Sequence, residues 1–282
     1  MSLVTKFARA VLPQPLVPAA KRAAINAGLL PQPPHQYPFR ELMHHDPSAR
    51  PNYRWGTLCA AFLAKTLGYE RISVIEFGVA GGDGLLALEQ VSAQASAASG
   101  VAIDVYGFDT GTGLTKPLDY RDLPQLWSEG DYVMDVPKLK SRLKNAQLML
   151  GPVAETVPKF LAGKPAPIGF VVFDLDLYSS TMDAFGIFDA PDESLLPRVT
   201  CYFDDIAGYS HSDFNGERLA MADFNKSHET RKISQIYGLK HAMNLDQWWI
   251  EMMFMFHAFR HPRYNDYDGT NPLRQIPLKD GA

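Results

Sequence analysis

Apolar and polar positions along this chain fall into blocks that fit strands and helices in turn. The strand-like runs are short and mainly apolar: "RISVIEFG", "VAIDVYGFD", "AQLMLG", "IGFVVFDLD" and "RVTCYFDD". Between them lie longer segments of helical character, among them 83–98, 155–163 and 216–227. Short buried strands that alternate with helices predict a mostly parallel sheet covered on both faces.

The two ends of the chain follow a different pattern. Residues 1–50 are rich in proline and are predicted to form an arm and connector, and the prolines at positions 13, 15 and 18 interrupt the apolar run that a signal peptide needs. Residues 51–282 are predicted to form one doubly wound Rossmann-like α/β domain. Its last two strands, at 232–238 and 247–259, lack a helix-length connection and are predicted to pair antiparallel.

Composition narrows the class of protein. The chain is 46% hydrophobic and 21% charged, as in ordinary globular proteins, and its net charge of −4 gives no argument for binding nucleic acid or an anionic membrane. No stretch approaches the roughly 20 apolar residues of a membrane span. The two cysteines, Cys59 and Cys201, have no metal-like spacing, which favours a reducing cytoplasm.

The first strand runs into a turn with four glycines in seven residues, "GVAGGDG". Glycines at the first strand-to-helix turn of such a sheet let the backbone approach a ligand closely, although a simple tight turn would also use them. Asp83 stands where a dinucleotide-binding turn places a pyrophosphate, and its carboxylate would repel phosphate. Glu76, inside the strand, suits a cationic ligand. S-adenosylmethionine carries an ammonium and a sulfonium but no phosphate, so it is favoured over a nicotinamide dinucleotide.

Acidic residues end three further strands. Asp109 ends the second strand, where an acid can bind both hydroxyls of a ribose or can simply close a turn. Asp174 and Asp176 follow the most apolar strand, and Asp204 and Asp205 follow the next one. Crowded carboxylates repel one another unless a cation compensates them, and their oxygens suit a hard ion such as Mg²⁺. The alternative is that some of these acids cap the following helices and bind no metal.

These segments together resemble the macrocin O-methyltransferase family of class I S-adenosylmethionine-dependent methyltransferases. The resemblance covers roughly 53–236 and rests on "VIEFGVAGGDGL", "YGFDTGTGL", "LMLGPVAETVP", "FDLDLYSSTMDAF" and "YFDDIAGYSHSDFNGERLAMADF" in that order. It departs from the family at Thr-Gly-Thr after Asp109, at Leu175 in place of a common glycine, and at Ser179 in place of an acid.

The resemblance implies a role for each acid. Asp174, Asp204 and Asp205 would hold the metal, and Asp176 would be the general base. The predicted contacts to the donor are Glu76, Gly78, Gly81, Asp109, Thr110 and Asp174.

The expected function is therefore methyl transfer from S-adenosylmethionine, assisted by Mg²⁺, to a hydroxyl of a small molecule, with a natural-product sugar as the leading acceptor. The alternatives are a metal-independent methyltransferase, a nicotinamide-dependent oxidoreductase and a non-catalytic scaffold. The resemblance also implies a homo-oligomer. Residues 53–55 are expected either to cover the methionine end of the donor or simply to start a helix.

Overall fold

A seven-stranded sheet carries the fold. The computed structural model describes residues 50–243 and 247–268 of the chain, so the predicted arm at 1–49 lies outside the described residues. The strands are β1 Arg71–Phe77, β2 Ala102–Asp109, β3 Gln147–Leu150, β4 Ile168–Phe173, β5 Leu195–Phe203, β6 Arg231–Gln235 and β7 Met253–Ala258. Their order across the sheet is β3-β2-β1-β4-β5-β7-β6.

Strand direction follows the predicted pattern. Strands β1 to β5 are paired in parallel, and β7 runs antiparallel to both β5 and β6. The chain moves outward from β1 to β2 and β3 and then returns to β4 on the other side of β1. Ligands of such sheets bind at the carboxyl ends of the strands beside this reversal, so the expected site lies at the ends of β1, β2, β4 and β5.

Helices cover both faces of the sheet. They are α1 Pro51–Thr66, α2 Asp83–Ser99, α3 Val136–Arg142, α4 Val153–Ala162, α5 Tyr178–Ala184, α6 Gly216–Ser227 and α7 Leu239–Met243. Proline stands in the first turn of α1, where its missing N–H costs no helical hydrogen bond. The Asp135 side chain caps α3 by accepting a hydrogen bond from the Lys138 backbone N–H at 3.1 Å.

Two hydrophobic cores hold these layers together. On one face, residues of α1 and α2 such as Trp55 and Leu88 pack on the sheet, and on the other face residues of α4 and α6 such as Val157 and Phe224 do so. In the second core, the Phe173 ring at the end of β4 is stacked 4.6 Å from the Phe203 ring and 5.6 Å from the Phe77 ring. This row of buried rings holds three strand ends level immediately below the expected site.

The structure confirms the doubly wound, mostly parallel sheet and the antiparallel pairing of the last two strands, with two differences in detail. Helix α1 was not predicted as a whole helix. The strand predicted over 247–259 begins only at Met253, because Trp248–Met252 form a 3₁₀ turn. The clustered apolar residues around Trp248 and Trp249 predict a core position for both. Trp249 is buried, but Trp248 is 67% exposed, so this prediction is wrong for Trp248. The run Trp248–Met252 is mainly apolar, with Glu251 as its one charged residue, and it shows no strict alternation that could have marked where the strand begins.

Among the residues that the structure describes, no helix has both the length and the apolar character that crossing a membrane requires.

Candidate active site

The ends of β1, β4 and β5 lie level, which brings their following residues side by side. The Asp174 backbone N–H donates to the Phe77 carbonyl oxygen at 3.0 Å, and the Asp204 N–H donates to the Phe173 carbonyl oxygen at 3.0 Å. The sheet hydrogen bonds thus continue one residue beyond the strands. Because the strand ends are aligned, the acids that follow β4 and β5 lie side by side at one edge of the sheet.

The glycine turn lies against the same edge. Gly78 has a φ of +83°, and a Cβ atom built on it would lie 1.6 Å from the Asp174 carbonyl oxygen. No other residue fits there, because both the left-handed backbone and the space exclude a side chain. Gly82, with a φ of +90°, begins helix α2 at its N-cap.

Asp109 holds this turn in shape. Its Oδ2 accepts hydrogen bonds from the Val79 and Ala80 backbone N–H groups, both at 2.9 Å, and its Oδ1 accepts from the Gly111 N–H at 2.6 Å. Three charge-assisted hydrogen bonds fix the carboxylate at the mouth of the turn. Each carboxylate oxygen still has acceptor capacity for a ligand hydroxyl.

A cavity of about 640 Å³ opens at this edge, a size typical of small-molecule sites. Of the predicted site residues, its lining contains Gly78, Asp109, Thr110, Asp174, Asp176, Asp204 and Asp205. The other two predicted residues, Glu76 and Gly81, are not among the described residues that line this cavity.

Glu76 lies beneath the cavity instead. Its side chain is 1% exposed, and the Tyr53 hydroxyl donates to its Oε1 at 2.6 Å. Burial raises the pKa of Glu76 to about 8, against the opposing effects of the Tyr53 hydrogen bond and the Arg50 charge. Gly84 gives the carboxylate its room, because a Cβ there would lie 1.9 Å from Oε1. The acid therefore joins α1 to the start of α2.

Asp174, Asp204 and Asp205 form a cluster, which we call the acid trio. One carboxylate oxygen of each lies within 4.8 Å of those of the other two. Burial, followed by the charges of the neighbouring carboxylates, raises the pKa of both Asp174 and Asp205 well above the usual range. Such a set of oxygens at this spacing can hold a hard divalent cation, which would offset the repulsion.

Neighbouring groups orient the acid trio. The Tyr202 hydroxyl donates to Asp204 Oδ1 at 2.5 Å. The Asp205 backbone N–H donates to Glu217 Oε2 at 3.1 Å, and Glu217 on α6 is completely buried with no partner for Oε1 among the described residues. Sequence reasoning missed Glu217; the available signal was an acid in the first turn of a helix directly after the paired aspartates.

Asp176 reaches the cavity by a different route from the predicted one. Asp174 and Asp176 are two positions apart, a spacing that in an extended segment predicts both on one side and Leu175 on the other. The strand ends at Phe173, however, and Asp176 has a left-handed backbone with a φ of +61°, so Leu175 also lines the cavity. Such a conformation is strained for a residue with a side chain.

Contacts with neighbouring residues hold Asp176 in this strained conformation. Its N–H donates to Asp205 Oδ2 at 3.0 Å, and its side chain is 7% exposed. Burial raises the pKa of its carboxyl to about 6. The carboxylate is thereby fixed next to the acid trio.

A long connection between β2 and α3, residues 110–135, covers the cavity. Trp127 and Tyr132 of this connection line the cavity, with ring centroids 6.0 Å apart. Asp122, 1% exposed, fastens the cover to α5 by accepting hydrogen bonds from the Ser179 N–H at 2.8 Å and from the Ser179 hydroxyl at 3.0 Å. Sequence reasoning did not identify Asp122, because its partner lies 57 positions away.

No protein-family model matches the chain, and no curated protein is significantly similar to it. Solved structures of methyltransferases are similar in part. The calicheamicin methyltransferase CalS11 is 23% identical, with 82% of this chain and 92% of that chain covered and a TM-score of 0.49. A second structure of CalS11, described as a TDP-rhamnose 3'-O-methyltransferase, is 21% identical over 82% of this chain and 94% of that chain, with a TM-score of 0.41. An O-methyltransferase from Bacillus cereus in complex with S-adenosylhomocysteine is 11% identical over 90% and 95%, with a TM-score of 0.37. Similarity at this level assigns no activity, and membership of the macrocin family stays a prediction.

Proposed function

We propose that this protein is an S-adenosylmethionine-dependent, divalent-metal-assisted O-methyltransferase that acts on a hydroxyl of a small molecule. The observation that carries the proposal is the content of one cavity. It combines the close turn at Gly78, the fixed carboxylate of Asp109 and the acid trio at neighbouring strand ends. These are the groups that a ribose-bearing donor and a metal-bound acceptor would each need.

The charge of the cavity favours a cationic donor over a dinucleotide. Its described lining contains six aspartates and one lysine, Lys116. A pyrophosphate would be repelled by so many carboxylates, whereas a sulfonium would be attracted. Asp109 would accept hydrogen bonds from the ribose hydroxyls, with Gly78 and Thr110 beside it. This argument disfavours the nicotinamide-dependent oxidoreductase.

The acid trio fits a divalent cation, with Mg²⁺ as the proposed ion. All its ligand atoms are carboxylate oxygens, and Mg²⁺ and Mn²⁺ prefer such ligands. When bound, the cation would supply Lewis acidity that lowers the pKa of an acceptor hydroxyl. Tyr202 and Glu217 would keep Asp204 and Asp205 oriented toward it.

Asp176 is the proposed general base. It lines the same cavity as the acid trio, and its backbone is fixed by the hydrogen bond to Asp205. A carboxylate held there can take the proton of a hydroxyl that lies between it and the donor. The sulfonium methyl group needs in-line placement rather than further activation, which the closed cover would provide.

A natural-product sugar remains the leading acceptor, on the resemblance of the sequence motifs. The rings of Trp127 and Tyr132 at the cavity offer apolar faces on which a sugar ring could rest. We also propose a cytoplasmic location and a homo-oligomer. Cys59 and Cys201 are both unpaired thiols, which agrees with a reducing compartment.

Calorimetry and a turnover assay together test this function. We expect S-adenosylhomocysteine to bind at micromolar concentration, and we expect its release during turnover with a panel of nucleotide sugars and glycosides to stop in chelator and return with Mg²⁺. Asp213→Asn, which removes an exposed carboxylate outside the cavity lining, is the matched control for Asp176→Asn. Absence of heat with both donor and product would overturn the proposal, and turnover unchanged by exhaustive chelation would select a metal-independent methyltransferase.

A further inference from the structure

Helix α1 begins at the edge of the sheet where the acid trio lies. The Tyr53 hydroxyl meets Glu76, the next-to-last residue of β1, and the Tyr53 ring lies edge-on to the ring of Tyr202, the next-to-last residue of β5, at 6.1 Å between centroids. Tyr53 is completely buried. The residue that precedes the helix, Arg50, is therefore placed over the carboxyl ends of the strands.

Contacts with Tyr53 help to hold Arg50 there. One guanidinium nitrogen donates a hydrogen bond to the Tyr53 hydroxyl oxygen at 3.1 Å, and the guanidinium carbon lies 4.9 Å from the centre of the Tyr53 ring. The Tyr53 hydroxyl in turn donates to Glu76 at 2.6 Å. The chain from Arg50 through Tyr53 to Glu76 thus has its donors and acceptors in a consistent direction, which orients the guanidinium.

The charge of Arg50 acts on two acids that line the cavity, Asp174 and Asp204, and on Glu76 beneath it. Burial opposes its charged form, but the nearby Tyr53, Glu76, Asp174 and Asp204 outweigh burial and raise its pKa. A permanent cation therefore lies close to the acids at the ends of β1, β4 and β5, outside the described lining of the cavity. Asp109, the proposed ribose acid, lies toward the opposite side, at the end of β2.

The proposed donor has a part that this cation fits. If its ribose binds at Asp109 and its methyl group lies beside Asp176, the remaining amino acid part extends past the end of β1. That part carries an α-carboxylate, which the six aspartates of the cavity would repel. Lys116, the lysine of the lining, also borders a neighbouring pocket together with Thr110 and Thr112, which follow Asp109 in the chain.

We propose that Arg50 binds the α-carboxylate of the donor's methionine part, with Tyr53 and Glu76 as positioning residues. This inference rests on the proposed function. It also gives buried Glu76 a role other than the predicted direct contact with the donor: the acid fixes the hydroxyl that holds the guanidinium.

Three ligands distinguish recognition of the α-carboxylate from recognition of the rest of the donor. S-adenosylhomocysteine has both ammonium and carboxylate, its decarboxylated analogue keeps only the ammonium, and methylthioadenosine has neither. In calorimetric titrations of the full-length protein, Arg50→Gln should weaken binding of S-adenosylhomocysteine by about 10- to 100-fold, the usual size of a lost charge-assisted hydrogen bond. Its affinity for the other two ligands should change less than about threefold.

Further variants keep the test decisive. Lys65→Gln removes a charge from the other end of α1 and should bind all three ligands as the wild type does. Tyr53→Phe removes the hydroxyl that orients Arg50 and should give a smaller loss, again only for S-adenosylhomocysteine. Arg50→Lys keeps the charge and should recover part of the affinity, and it replaces Arg50→Gln if that variant does not fold.

The outcomes distinguish this inference from the function on which it rests. Equal losses for all three ligands, or no loss with any of them, would overturn the role of Arg50 while leaving the methyltransferase proposal intact. Wild-type protein that binds none of the three ligands would overturn both.

Discussion

Glu76→Gln should change how the stability of the protein depends on pH. The substitution keeps the shape of the side chain and an oxygen that can accept the Tyr53 hydrogen bond, but it removes the ionisable group. In the folded protein the pKa of Glu76 is about 8, against 4.5 for an ordinary glutamate. The folded state therefore binds this proton more tightly than the unfolded state does.

The sign and size of the effect follow from proton linkage. The stabilisation from the neutral carboxyl is complete below pH 4.5 and is lost as the pH rises toward about 8. Within that interval, the wild-type free energy of unfolding should fall relative to that of Glu76→Gln by about 1.4 kcal/mol per pH unit. Over the whole interval this amounts to roughly 4 to 5 kcal/mol, so the variant should gain on the wild type steadily toward alkaline pH.

Urea unfolding at a series of pH values measures this difference. A chelator in every sample keeps metal ions from contributing, and the other buried acids cancel in the comparison because both proteins contain them. Glu155→Gln, at a side chain that is 64% exposed, is the control and should leave the pH profile unchanged. Parallel profiles for wild type and Glu76→Gln would refute the claim that burial raises the pKa of the Glu76 carboxyl to about 8.

Three further variants test the site. Gly78→Ala puts a Cβ against the Asp174 carbonyl oxygen at a φ of +83°. It should therefore lower the free energy of unfolding by at least about 2 kcal/mol and abolish S-adenosylhomocysteine binding. A wild-type urea unfolding curve for this variant would contradict the close approach of Gly78 to Asp174. Asp204→Asn should weaken Mn²⁺ binding tenfold or more by calorimetry while methylthioadenosine affinity stays constant; an unchanged Mn²⁺ affinity would remove Asp204 from the metal site. Asp176→Asn should lower kcat by about 100-fold with donor affinity retained, and undiminished turnover would exclude it as the base.

Much of the fold could be predicted because each step depends on local pattern. Short apolar strands alternating with helices specify a parallel sheet, and the ends of parallel strands must meet at one edge. The convergence of Asp174 with Asp204 and Asp205 follows from that rule alone. The start of β7 could not be predicted, because the mainly apolar run before Met253, interrupted only by Glu251, shows no strict alternation.

The parts of the site that were missed depend on contacts between distant residues. The hydrogen bond from Tyr53, 23 positions earlier in the chain, to buried Glu76 could not be predicted from either segment, and the contact of Glu76 with the donor stays a prediction. Asp122 fastens the cover only through Ser179, and Asp176 enters the cavity through a left-handed backbone that no propensity favours. Such features depend on the packed tertiary structure, so a single sequence gives no direct signal of them.

The most direct test of the central claim is X-ray diffraction from crystals grown with S-adenosylhomocysteine and Mn²⁺, recorded where manganese scatters anomalously. We expect one strong anomalous peak in contact with carboxylate oxygens of Asp174, Asp204 and Asp205, beside density for the nucleoside at Asp109. Nucleoside density at Asp109 with no anomalous peak between the three aspartates, at saturating Mn²⁺, would contradict the account.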